Sequence, residues 1–306
     1  MTPSRYEGRY LVGLIGSGIG MSLSPALHER EADELGLRYL YRRLDLAVLG
    51  LPLTEIDGLV AAIRLAGYNG FNVTHPCKQL VVEYLDGLSP EAAVLGAVNT
   101  VVFADGKAIG HNTDLSGFTR SVRTGLSGVP TDHVVLLGAG GAGAAVSQAL
   151  LAMGAGTVRL FDTDPERAQT LAKSLCERFG ADRAIAGRLN EGADDLADAL
   201  HDADGLVHAT PTGMAAYPGM PLPAELLRPA LWVADIVYRP LDTELVTTAR
   251  AQGCRVLDGG MMAVFQAADA FRLFTGREPD TDRMLRHFDS LVHATTPERN
   301  GTHAHR

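Results

Sequence analysis

Cysteine is scarce in this chain. Its three residues, Cys77, Cys176 and Cys254, are odd in number and far apart. That spacing excludes a disulfide framework and points to a reduced, cytoplasmic setting. Long apolar runs are missing too. No stretch of about 18 consecutive apolar residues occurs, so no transmembrane helix is expected. The opening MTPSRYEGRYLVGLIG lacks a long apolar segment with a cleavage site, and no signal peptide is expected. Positive charge is in deficit, with 27 Lys and Arg against 36 Asp and Glu, a formal net charge of −9. No basic stripe emerges from that balance, which excludes nucleic acid as a partner. The ten histidines include no H-E-x-x-H and no Cys/His pair at zinc spacing, so no metal is expected. His28, His75, His111 and His208 read as helix-surface or loop residues. No internal repeat of fixed period is present.

What is present is a chain of 306 residues, 46% hydrophobic, enough to core one large or two ordinary domains. Its clearest stretch is His133–Gly143, HVVLLGAGGAG. An apolar strand runs into Gly138-Ala139-Gly140-Gly141-Ala142-Gly143, and an apolar helical run follows. Strand, G-x-G-x-x-G and helix in that order is the context of a dinucleotide site. Gly138 permits the tight turn, Gly140 lets the backbone approach a pyrophosphate, and Gly143 lets helix and strand pack closely. The pyrophosphate then rests on the amides of the helix N-terminus. A second strand, Thr157–Asp162, ends in an acid roughly 20 residues beyond the glycines. A carboxylate there accepts bonds from both ribose hydroxyls of NAD and repels a 2′-phosphate. No Arg immediately follows it in Thr163-Asp164-Pro165. The plainer alternative is that Asp162 opens a turn or caps the next helix.

Before that loop the chain alternates strand and helix. Tyr10–Gly16 is a short buried strand. Ser22-Leu23-Ser24-Pro25 leads into a helix, since Pro suits its first turn. Ser22 and Ser24 then admit two readings: an N-cap, or two hydroxyls beside a helix dipole forming a carboxylate site. Arg38–Leu46 alternates like a strand, and LTEIDGLVAAIRLAG is an amphipathic helix. Tyr68–His75 is the next strand, and Pro76 marks the start of a helix carrying Lys78 in its first turn. Thr74 and Lys78 thus fall at a strand's C-terminal end, where α/β ligand sites lie. Asn99 and Thr100 stand at a helix–strand join. Asp114 follows Gly-His-Asn-Thr and opens a helix; both Asn99 and Asp114 admit a plain turn or cap role.

Together these fragments are distinctive. Ser22-Leu23-Ser24-Pro25, Asn72-Val73-Thr74-His75-Pro76-Cys77-Lys78, Gly96-Ala97-Val98-Asn99-Thr100 and Gly110-His111-Asn112-Thr113-Asp114 precede the glycine loop. Ala209-Thr210-Pro211-Thr212-Gly213-Met214, Asp235-Ile236-Val237-Tyr238 and Gly259-Gly260-Met261-Met262-Ala263-Val264-Phe265-Gln266 follow it. The chain resembles the shikimate dehydrogenase family from about Tyr10 to Leu291.

The resemblance implies an α/β protein with an N-terminal substrate domain, 1–114, completed by a C-terminal helix, 260–292. A Rossmann-type NAD domain, 115–259, faces it across a cleft, with hinges near Asp114–Gly117 and Asp258–Gly260. Residues 293–306 form a polar, disordered tail. It further implies that Ser22 and Ser24 bind the substrate carboxylate. Thr74, Asn99, Asp114 and Gln266 would hold the ring hydroxyls, Lys78 and Asp114 would be the catalytic pair, and Tyr238 would sit near the substrate. Gly138, Ala139, Gly140, Gly141, Ala142 and Asp162 would bind the cofactor, with Thr210, Val237 and Gly260 lining the nicotinamide pocket. NADP-dependent members commonly carry Asn-Arg-Thr where this chain has Asp162-Thr163-Asp164. The acids, and the Asp269–Gly276 segment, are more similar to the NAD-dependent quinate/shikimate dehydrogenases. Ser24, in contrast, resembles shikimate-preferring members, because quinate users often carry Thr there. The implied reaction is hydride transfer between NAD and a ring hydroxyl of shikimate or quinate. Two other readings stand beside it: an aminoshikimate or aminoquinate dehydrogenase, and a nucleotide-sensing regulator on the same scaffold. The partner is a polyhydroxy cyclohexane or cyclohexene carboxylate, acting on a monomer or homodimer.

Overall fold

The structure, a computed structural model, describes residues 8–188 and 194–295. Its first half runs β1 (Arg9–Gly16), α1 (Ser24–Glu34), β2 (Arg38–Asp45), α2 (Leu46–Leu49), α3 (Ile56–Leu65), β3 (Gly70–Val73), β4 (Gly87–Leu88), α4 (Pro90–Leu95), β5 (Thr100–Ala104) and β6 (Lys107–His111). These strands form one six-stranded sheet in the order β2-β1-β3-β5-β6-β4. It is mixed: β1 pairs parallel with β2 and β3, whereas β5 runs antiparallel to β3 and β6.

α5 (Asp114–Gly125) then leads into β7 (His133–Leu137), α6 (Gly141–Ala152), β8 (Thr157–Phe161), α7 (Pro165–Phe179), β9 (Ala184–Ala186), α8 (Asp194–His201), β10 (Gly205–His208), β11 (Trp232–Asp235), α9 (Glu244–Ala251) and β12 (Arg255–Leu257). The second sheet has the order β12-β11-β10-β7-β8-β9, and every pairing in it is parallel. Strands covered by helices on both faces are apolar on both faces. Val134–Leu137 and Gly205–His208 accordingly show no exposed position. The strand order reverses between β7 and β10, and α/β ligands bind outside that switch point, at the strands' C-terminal ends.

α10 (Gly260–Thr275) and α11 (Thr281–Thr295) close the chain. α10 returns to the first half, as expected. Its Val264, Ala267 and Ala268 pack with Leu23 and Leu27 of α1 and Met284 and Phe288 of α11. One turn on, Ala270 and Phe274 pack on Val12 and Leu14 of β1. Burial of a side chain such as Phe274 stabilises by about 1.5–3 kcal/mol, which fixes the helix against the sheet. α10 also crosses α5 closely at Gly117, where an added Cβ would stand 3.0 Å from both Cβ and N of Gln266.

Three expectations need correction. The single helix expected over 260–292 is two, α10 and α11, parted where Gly276 ends α10 with φ +66°. Thr74–Lys78 does not start a helix; turns follow β3, and only a 3₁₀ segment, Leu80–Tyr84, comes after. The Lys78 carbonyl is taken by the amide of Val98, 2.8 Å away, so it is lost to a helical ladder. At the other end, His293–Thr295 complete α11 rather than begin a tail; residues 296–306 lie outside the described part.

Candidate active site

The glycine loop leaves β7 at the switch point. Gly138 has φ +100°, a conformation costly for any residue with a Cβ, and a Cβ there would stand 2.7 Å from Ala209 O. A Cβ on Gly143 would collide with Gly138 O, so this glycine lets the turn fold onto its own helix. Gly140 is the N-cap of α6 and borders open space; no side chain caps the helix and no acid occupies its first turn. Gly140, Gly141 and Ala142 therefore present backbone donors and a positive helix end to solvent, as an anion site requires.

Asp162 follows β8 and is buried. Its Oδ2 accepts the Ala139 amide at 2.7 Å and its Oδ1 the Asp164 amide at 2.9 Å. It is Asp164 that caps α7, through the amides of Glu166 and Arg167, so the cap reading of Asp162 does not hold. Arg167 stands over both acids, 3.6 Å from Asp162 and 3.3 Å from Asp164.

Across the switch point, Thr210 and Val237 follow β10 and β11. A buried network ties them together. His208 is fully buried, with Nδ1 2.9 Å from Asp235 Oδ1 and Nε2 bonded to the Thr210 hydroxyl. Asp235 also accepts from the Val237 amide at 3.0 Å and the Thr243 hydroxyl at 2.7 Å. Because the carboxylate only accepts, the imidazole proton belongs on Nδ1, leaving Nε2 to accept from Thr210. Val237 O and a Cβ on Gly259 would be 2.5 Å apart, which sets Gly260 beside the same pocket wall.

Lys78 and Asp114 meet in front of this loop. Asp114 opens α5, is 5% exposed, and takes Lys78 Nζ on Oδ2 at 2.5 Å. An acid in the first helical turn is favoured by the dipole. Its Oδ1 accepts Asn99 Nδ2 at 2.9 Å. Two charges this far from water are costly unless paired and hydrogen-bonded, and Asp114 is both. A Cβ on Gly141 would lie 3.6 Å from the Cβ of Lys78, so the glycine loop and this ion pair border one gap.

The remaining expected residues have local contacts of their own. Leu23, not a serine, is the N-cap position of α1, with no side-chain cap bond. Ser22 and Ser24 face each other, 3.2 Å between hydroxyl oxygens. Tyr238 lies beside Ser22, and burial raises its phenol above the ordinary tyrosine range. Thr74 fixes its amide on Ile15 O at 2.9 Å and sets its methyl against Gly16. Gln266 donates Nε2 to Ala263 O at 2.9 Å, at the α5–α10 crossing.

Comparisons with known proteins agree with this geometry. Residues 14–101 match the family described as shikimate dehydrogenase substrate binding domain, and residues 262–287 the shikimate 5'-dehydrogenase C-terminal domain. The shikimate dehydrogenase (NADP(+)) of Streptomyces avermitilis is 64% identical over 279 residues, 91% of this chain and 94% of that protein. The quinate/shikimate dehydrogenase (NAD(+)) of Corynebacterium efficiens is 46% identical over 282 residues, 92% of this chain and 98% of that protein. Among solved structures, quinate dehydrogenase from Corynebacterium glutamicum in complex with NAD superposes with a TM-score of 0.83 at 44% identity, covering 92% of this chain and 99% of that one. The chain belongs to the shikimate dehydrogenase family.

In this shikimate dehydrogenase family member several site-lining groups were not picked out from sequence. Arg167 is one; its signal was a cation three residues after the capping acid Asp164, on the same helical face. Tyr41, Asn72 and Thr100 are others, buried and bonded to one another beneath the site. His28 and His208 are corrections, 1% and 0% exposed, not surface residues. His28 sits in an aromatic cluster, its ring 5.0 Å from Tyr41, and burial lowers its pKa to about 3. Among the described residues no three His, Cys, Asp or Glu side chains are grouped to share a metal ion, and no helix is long and apolar enough to cross a membrane.

Proposed function

We propose that this chain transfers hydride between NAD and a ring hydroxyl of shikimate, with quinate as a second substrate. The observation that carries the reading is the Lys78–Asp114 pair bordering the glycine loop at Gly141. Bound nicotinamide dinucleotide supplies the hydride acceptor; everything else is the work of this chain's side chains. Residues 1–114 with α10 bind the substrate, and 115–259 bind the cofactor. Ser22, Ser24 and Tyr238 take the substrate carboxylate, and Thr74, Asn99 and Gln266 the ring hydroxyls. The reacting hydroxyl lies between Lys78 and Asp114. As its carbinol C–H bond gives up hydride, its O–H proton passes to Lys78, which takes it as the neutral amine, and the oxygen becomes a carbonyl; the ammonium so formed pairs with Asp114. In the reverse direction the ammonium of Lys78 returns the proton. Both groups are needed within hydrogen-bond reach of that oxygen.

NAD is the proposed cofactor, because Asp162 and Asp164 put two carboxylates where a 2′-phosphate would stand. A second reading, NADP, is favoured by Arg167 above both acids and by the NADP(+) name of the S. avermitilis relative. The unpaired thiols of Cys77, Cys176 and Cys254 fit a cytoplasmic enzyme.

The test is kcat/KM for shikimate and quinate, each with NAD and NADP. The highest value is expected for shikimate with NAD. A higher value with NADP overturns the NAD assignment and makes Arg167 the phosphate ligand. Activity confined to amino analogues moves the enzyme to that substrate class. Absence of nicotinamide reduction in every combination overturns the dehydrogenase reading in favour of a nucleotide sensor.

A further inference from the structure

A line of hydrogen bonds runs from Tyr41 to Asp114, and three of its members, Tyr41, Asn72 and Thr100, have no part in the function proposed above. Tyr41, on β2, is 5% exposed and donates its hydroxyl proton to Asn72 Oδ1 at 2.8 Å. Ser24 lies beside the same phenol. Asn72 Nδ2 then donates to Thr100 Oγ1 at 2.9 Å and to the Asn99 carbonyl at 3.3 Å. Thr100 has one proton, and it goes to Asn99 Oδ1 at 3.0 Å. That oxygen also takes the Thr113 amide at 2.8 Å. With its oxygen so occupied, Asn99 has only Nδ2 to offer Asp114 Oδ1, and the distance is 2.9 Å. Asp114 keeps Oδ2 for Lys78.

Each bond in this line has a single polarity. An amide oxygen accepts and an amide nitrogen donates, so the flip of Asn72 and that of Asn99 are not independent. The Asn99 carbonyl, which only accepts, fixes the flip of Asn72, and the Thr113 amide, which only donates, fixes that of Asn99; the phenol adds a donor to Asn72 Oδ1. Burial raises it well above the ordinary tyrosine range, so it remains a donor throughout the neutral region. All five side chains are buried, and buried polar networks of this kind rigidify what they hold.

We propose that Tyr41 is a positioning residue for the reaction: through Asn72, Thr100 and Asn99 it holds Asp114 in register with Lys78. Contact with Ser24 ties the same line to the carboxylate end of the site. The line therefore fixes the distance between the group that binds the acid and the group that meets the reacting hydroxyl. This rests on the reading of Lys78 and Asp114 given above.

Two near-isosteric substitutions test it, each removing one hydroxyl: Tyr41→Phe and Thr100→Val. Steady-state kinetics and thermal unfolding are measured on both, on the double variant, and on the wild type. If the line acts as a unit, each single variant lowers kcat about tenfold, the loss expected when one partner of a buried hydrogen bond is removed. The double variant then loses no more than either single one, because residues acting through one another are not additive. The NAD KM stays at the wild-type value, and melting temperatures stay close together. Unchanged kcat in Tyr41→Phe overturns the proposal. So does a double variant whose loss is the product of the two, about a hundredfold, since the two hydroxyls then act separately. A kcat loss in Tyr41→Phe matched by an equal rise in the NAD KM also overturns it, because a general loosening would be the cause. An inactive wild type is a different outcome: it removes the proposed function first, and the proposal with it.

Discussion

Gly141 faces Lys78. A Cβ built on the first residue of α6 would lie 3.6 Å from the lysine Cβ, with Ala97 at the same distance. The N-terminal end of α6 and the Lys78 side chain thus share one narrow gap. Ala97, with Leu95, packs directly on Ala144 and Ala145 of α6, so the two halves of the molecule are held at this spacing by contact.

That spacing limits what position 141 accepts. An alanine makes ordinary van der Waals contact there, so Gly141→Ala is expected to keep wild-type kcat and cofactor KM. Gly141→Leu fills the gap. Its cofactor KM is expected to rise about tenfold or more, with the melting temperature little changed, since overpacking costs about 1–3 kcal/mol and the side chain projects into the cleft rather than the core. Steady-state kinetics of both variants, alongside their melting curves, decide it.

In the proposed function Ser24 holds the substrate carboxylate and does not meet the reacting carbon. Ser24→Ala should therefore weaken substrate binding more than turnover. A hydrogen bond to a charged group contributes about 1.5–3 kcal/mol, so KM for shikimate should rise about tenfold to a hundredfold. A fall in kcat of at most a few-fold is expected, transmitted through Tyr41. The KM-to-kcat split from initial rates is the readout.

Asp162 holds the loop through the Ala139 amide, and in the proposed function it also takes the cofactor's ribose. Asp162→Asn keeps an oxygen for Ala139 and removes the charge. The expected result is a lower kcat/KM with NAD and a higher one with NADP, with Arg167 no longer neutralised by the buried acid. Arg167→Ala in the same background should remove the gain with NADP and leave NAD unaffected. Cofactor titrations of the three chains measure both shifts.

His28 makes stability depend on pH. In the unfolded chain its imidazole takes up a proton near pH 6.5, whereas in the fold it does so only at about 3. Between those values the unfolded state binds the extra proton. Stability from this residue is whole above about pH 6.5 and falls by about 1.4 kcal/mol per pH unit below it. His28→Phe keeps the aromatic packing against Tyr41 and Phe271 and removes the titration. Urea unfolding at pH 7 and pH 5 should show a stability loss smaller by about 2 kcal/mol in the variant than in the wild type.

What sequence could reveal depended on range. Two strands of the second sheet, β7 and β8, were legible as apolar runs, and the glycines after β7 occur where a turn needs them. Lys78, Asp114 and the serines were legible as types at strand and helix ends, through local order alone. The helix expected after Pro76 was not there, because the carbonyl of Lys78 is spent on Val98, a partner distant in the chain. Tyr41 reads as one position in an alternating strand; only its contact with Asn72, 31 residues away, makes it a polar anchor. The same holds for His208, whose role comes from Asp235, 27 residues on. A lone histidine in GLVH carries no mark of a carboxylate waiting on the neighbouring strand.

The most direct test of the account is Lys78→Ala. It should lower kcat for shikimate oxidation by about 10²–10⁴-fold, the usual contribution of a positioned acid–base group, while NAD binds with wild-type affinity in a fluorescence titration. Wild-type kcat in that variant would contradict the assignment of Lys78, and with it the placing of the reaction between Lys78 and Asp114.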